Sequence, residues 1–101
     1  MIVYVDVDET LIRSGAAGRA PVLEVVDHIR RLKAAGAELY LWSSGGADYC
    51  RRTAQDLGLT DCFTAFLPKP HIMIDDQEVK DWPACTTFHP SKLSGKSVPQ
   101  P

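Results

Sequence analysis

Apolar and polar positions divide the chain into short strand-like runs and longer helical stretches. Residues 2–5 form a continuous β-branched and aromatic run that ends at Asp6 and Asp8. An unbroken run of that length predicts a strand buried on both faces, as in the middle of a parallel sheet. Val22, Val25, Val26, Ile29 and Leu32 recur at helical spacing, opposite Glu24, Asp27, Arg30, Arg31 and Lys33. Pro21 suits the first turn of that helix, His28 its outer face and Gly36 its left-handed stop. Residues 13–20, rich in Gly and Ala, read as the loop before it. Residues 39–42 predict a second strand that ends in Ser43-Ser44-Gly45-Gly46. Residues 47–57 predict a second helix with Cys50, Ala54 and Leu57 inward and Gly58 as its stop. A short third strand over 62–67 leads to Pro68-Lys69-Pro70, then to a further apolar run, 71–74, closed by Asp75 and Asp76. Residues 77–82 fit a turn and a half of helix, and 84–88 a last short strand.

Strand and helix in alternation predict a parallel sheet with right-handed crossovers, and so an α/β, three-layer sandwich around a small Rossmann-like sheet. A chain of 101 residues makes one domain, expected over 1–89, with 90–101 as an unpacked tail rich in Ser, Pro, Lys and Gly. The net charge of −2 and the lack of a basic run argue against a nucleic-acid partner. No stretch is apolar for the length of a membrane span, and no signal-peptide pattern opens the chain. Cys50, Cys62 and Cys85 form neither an even set nor a Cys-x-x-Cys pair, which suits reduced residues in a cytoplasmic protein.

The topology carries the chemistry. Parallel strands end on one edge, so Asp6, Asp8, Ser43, Asp75 and Asp76 can converge there although the sequence separates them. Crowded carboxylates repel one another unless a cation sits among them, and magnesium is the hard ion that suits carboxylate and water oxygens. A carboxylate beside such an ion can attack phosphorus. A second one, two residues on, can protonate the leaving oxygen and then activate water. The Ser43 hydroxyl and the N–H groups of the Gly45-Gly46 turn can hold phosphate oxygens, although Ser43 and Ser44 equally suit capping of the second helix. Arg13 and Arg19, beside the acids, can grip an anion, though most surface arginines do no such thing.

Asp6-Val-Asp8-Glu-Thr10 after an apolar strand resembles the first motif of the haloacid dehalogenase-like phosphohydrolases. The strand ending at Ser43 resembles their second motif, Lys69-Pro70 the third, and 72–76 the fourth in its double-Asp form. The likeness covers roughly residues 1–80, with the motifs in the family's order. It implies a magnesium-dependent phosphatase working through an aspartyl-phosphate, with Asp6 as nucleophile and Asp8 as general acid/base. It also implies phosphate contact at Ser43, with Ser44 and Gly45 beside it, and charge neutralisation by Lys69. Magnesium would be held by Asp6, the Asp8 backbone carbonyl, Asp75 and Asp76. Only residues 13–20 stand where the family inserts a cap, which suggests a capless member. Its open site would take a large phosphorylated substrate or be closed by a second subunit in a homodimer, for which Trp82 and Phe88 offer a patch.

One assignment conflicts with another. A parallel crossover takes a dozen or more residues, yet only Pro68-Lys69-Pro70 precedes residue 71. At about 3.3 Å per residue, Lys69 lies roughly 20 Å along an extended chain from Asp75, so both cannot sit at the same edge of straight strands. Lys80 is a substitute cation. The rival reading is a phosphate-binding or regulatory module of the same fold with an incomplete site. A response-regulator receiver fails on order, because its acidic pair and its phosphorylated Asp follow different strands from those found here.

Overall fold

A computed structural model describes residues 1–93 of the chain. In chain order the elements are β1 (Ile2–Asp6), β2 (Ile12–Gly15), β3 (Gly18–Pro21), α1 (Leu23–Ala34), β4 (Glu38–Ser43), α2 (Ala47–Asp56) and β5 (Ala65–Pro68). β1, β4 and β5 form a parallel sheet in that order, while β2 and β3 form a separate antiparallel hairpin. The fold is thus a small α/β one with a three-stranded parallel sheet and two helices.

A progressive strand order with right-handed crossovers puts both helices on the same side of the sheet. Burial agrees with this. Val5, Leu39 and Leu41 point into one core with Val25, Ile29 and Leu32 of α1 and Cys50 and Ala54 of α2. Alternate strand residues point the other way, where Ile2 and Tyr4 are exposed and Tyr40 and Trp42 only half-buried. The Tyr4 ring packs at a tilt against Tyr40 and edge-to-face against Trp42, with ring centroids 5.0 Å apart in each pair. The expected three-layer sandwich is therefore two layers over the described residues, and β1 is covered on one face rather than both. An apolar run identifies a strand without saying how many of its faces are covered.

α1 begins after Pro21, which closes β3 instead of opening the helix. Just past the helix end Gly36 takes a left-handed φ of 93°, with Ala37 N–H donating to the Leu32 carbonyl at 3.0 Å. His28 is half-buried rather than outward, and its Nε2 is buried with no hydrogen-bond partner among the described residues. Burial, then the Arg31 charge, push its imidazole pKa below the usual value, partly offset by Asp27. A folded-state value below the unfolded one means the unfolded chain takes up the proton more readily. The contribution to stability is complete above about pH 6.5 and declines as the pH falls below that value. Melting temperature is expected to fall between pH 7.5 and 5.5 by a smaller margin in His28→Gln than in the parent chain.

Beyond β5 the structure departs most from expectation. Residues 71–74 form no strand: Ile72 and Ile74 are 81% and 100% exposed. The physical reason is the short tether. Two residues after β5 cannot carry the chain back across the sheet, and Pro68 and Pro70 give no ladder N–H. The helix expected over 77–82 is a single 3₁₀ turn, Val79–Asp81, and no strand forms over 84–88. Pro90 is buried and Leu93 packs on the core, while 94–101 of the expected tail lie outside the described residues. No helix among the described residues is long and apolar enough to cross a membrane. With its side chain wholly in solvent, Ile74→Ser is expected to change unfolding free energy by less than about 0.5 kcal/mol in urea titration. A cost above about 1 kcal/mol would mean the segment is packed.

Candidate functional site

The site is built where β1 turns. Val7 and Leu11 are fully buried, and the Val7 carbonyl accepts the N–H groups of Thr10, Leu11 and Ile12 at 3.3, 2.9 and 2.9 Å. Anchoring Val7 inward turns its neighbours Asp6 and Asp8 outward, because alternate residues of an extended chain share a side. Glu9 takes the left-handed conformation that closes the turn, with φ 60°, and its Oε1 accepts the Ser14 N–H at 3.1 Å.

Each acid then meets a cation from a distant part of the chain. Lys69 Nζ lies 3.1 Å from Asp6 Oδ1, and the Thr10 hydroxyl donates to Asp6 Oδ2 at 3.1 Å. Lys69 reaches this edge because β5 ends at Pro68, paired with Ser43, and its own N–H donates to the Ser43 carbonyl at 2.9 Å. With no strand over 71–74, the conflict between Lys69 and Asp75 resolves by Asp75 lying elsewhere. The Lys69 ammonium also sits 5.5 Å from the centre of the Trp42 ring. Lys80 pairs instead with Glu78.

Asp8 Oδ1 receives two donors, Arg19 Nη2 at 2.9 Å and the Tyr49 hydroxyl at 2.7 Å. Arg19 comes from β3, within the stretch expected to be a loop, and also donates to the Tyr49 oxygen. Tyr49 comes from the first turn of α2. Burial, then the bond to Asp8, raise the Tyr49 pKa, so its hydroxyl stays a donor near neutral pH. Sequence reasoning weighed Arg19 and missed Tyr49. A hydroxyl-bearing residue one turn into the helix after the second strand was the signal available. The Gly15-x-x-Gly18 spacing likewise marks a hairpin turn.

Ser43 is 2% exposed, and its Oγ accepts the Gly45 N–H at 3.0 Å. Gly45 N–H is therefore occupied in holding the turn, not free for phosphate, while Ser44 is exposed beside it. Cys50 is buried below the acids. Burial first, then the charges of Asp6 and Asp8, push its thiol pKa up, which makes it a poor nucleophile.

Asp75 and Asp76 are exposed, and Asp75 Oδ1 accepts the Gln77 N–H at 3.0 Å, which holds its carboxyl below the usual range. They do not join Asp6 and Asp8. No group of three or more Asp, Glu, His or Cys able to hold a metal ion occurs among the described residues. The donor set at this edge is two carboxylates, each facing a cation, and one or two carboxylates completed by water and phosphate oxygens are what magnesium commonly takes. What the arrangement offers is one carboxylate gripped from both sides, a second with one oxygen unpartnered among the described residues, and two cations. No protein-family model, curated protein or solved structure matches the chain.

Proposed function

We propose that the chain is a phosphohydrolase, of the kind its haloacid dehalogenase-like motifs resemble, in which Asp6 attacks the phosphorus of a phosphate ester. The observation that carries this reading is the Asp6–Lys69 pair, 3.1 Å apart at the carboxyl edge of the parallel sheet. In the reaction, an Asp6 oxygen bonds to phosphorus while the ester P–O bond breaks. Lys69 shifts from Asp6 to the phosphoryl oxygens and neutralises their charge. Protonated Asp8 gives its proton to the leaving oxygen. The resulting carboxylate then takes a proton from water as that water attacks phosphorus and frees Asp6. Magnesium, implied by the motifs, would be held by Asp6 and the Asp8 backbone carbonyl with water and phosphate oxygens, and would supply further neutralisation of phosphoryl charge.

The second reading is a phosphate-binding module with an incomplete site, and the exposed position of Asp75 and Asp76 favours it. Turnover of p-nitrophenyl phosphate, with and without added magnesium, tests the first reading. Binding of orthovanadate without turnover is the result expected of the second.

A further inference from the structure

Resting on the phosphohydrolase reading, we propose that Tyr49 and Arg19 are positioning residues that fix Asp8 by one oxygen, Oδ1, so that Oδ2 is the oxygen that exchanges protons with the ester and with water. Asp8 sits on a turn with its side chain 58% exposed, so without partners its carboxylate would rotate freely. Two donors from different elements meet on Oδ1, Tyr49 Oη at 2.7 Å from α2 and Arg19 Nη2 at 2.9 Å from β3. Oδ2 has no hydrogen-bond partner among the described residues. An oxygen that accepts two donors is the poorer proton acceptor, so the geometry directs the proton to Oδ2.

The clamp is itself held. Arg19 donates to Tyr49 Oη and its guanidinium carbon lies 5.5 Å from the centre of the Tyr49 ring. On the other side the ring lies against Gly45, where an added Cβ would come within 2.8 Å of Tyr49 Cδ2. Gly45 thus leaves the room that lets the ring lie where its hydroxyl reaches Asp8. Thr53 Oγ1 bonds the Tyr49 carbonyl at 2.9 Å and ties the same residue to the next turn of α2. In the first step the Asp8 O–H bond at Oδ2 breaks as the leaving oxygen gains the proton. In the second, Oδ2 regains a proton from the attacking water, so Asp8 ends as it began.

Leaving-group chemistry isolates this role. p-Nitrophenolate departs with little proton help, whereas phenolate needs a well-placed acid. Tyr49→Phe is expected to lower kcat for phenyl phosphate by about 10- to 100-fold, with a much smaller loss for p-nitrophenyl phosphate and KM nearly unchanged. Arg19→Ala is expected to show the same split, and Arg19→Lys to recover part of it. Circular dichroism on each variant confirms the fold. Equal losses on both esters, or no loss in either variant, overturn the positioning role while leaving the phosphohydrolase standing. No turnover of either ester by the parent chain overturns both.

Discussion

Asp6→Asn is expected to lower turnover of p-nitrophenyl phosphate by on the order of 10⁴-fold or more, as removal of a covalent nucleophile does elsewhere. The substitution keeps the shape of the side chain, so the turn around Val7 remains intact and Thr10 can still bond the amide oxygen. Its structural cost is the lost pairing with Lys69. Both side chains are about a third exposed, so water screens the loss to under about 1 kcal/mol. Steady-state kcat measured beside a thermal melt separates the two effects. The expected pattern is a collapse of kcat with a melting temperature within a few degrees of the parent. Substantial turnover in Asp6→Asn would remove Asp6 as the attacking group.

The second large effect falls on the fold. Leu41→Ala is expected to cost about 2–5 kcal/mol, because it empties a fully buried position of the central strand. β4 is hydrogen-bonded on both edges, and Leu41 pairs with Val5 on one side and Phe66 on the other. Neighbours on two strands, with helices above, give the cavity little room to close. Total stability of such a domain is about 5–15 kcal/mol, so the loss is a large share. At roughly 4–8 °C per kcal/mol for a chain near this size, the melting temperature drops by roughly 8–40 °C. A drop of only a few degrees would show that the core of β4 repacks.

How far such features could be read from sequence depended on whether local pattern or tether length decided them. The stripe of Val25, Ile29 and Leu32 identified α1, because amphipathic spacing has one good solution. The ends of the first two strands identified the edge where Asp6, Asp8 and Ser43 gather, since parallel strands leave no other. Residues 71–74 went the other way. Their apolarity argues for burial, but two residues and two prolines after β5 argue against any route back to the sheet, and the tether won. That same outcome leaves Lys69 at the edge that the straight-strand argument said it could not share with Asp75. The pairing of Arg19 and Tyr49 was hidden for a different reason. Their meeting with Asp8 depends on where a hairpin and a helix lie in space, which no residue spacing reports.

The bare side of the sheet has an optical consequence. Trp42, half-buried there, has the Lys69 ammonium near its ring, so its fluorescence senses the same cation that Asp6 holds. Any anion that draws Lys69 away changes the field at the indole. With Trp82 replaced by Phe, the emission of the remaining indole becomes a built-in meter of occupancy at the sheet edge.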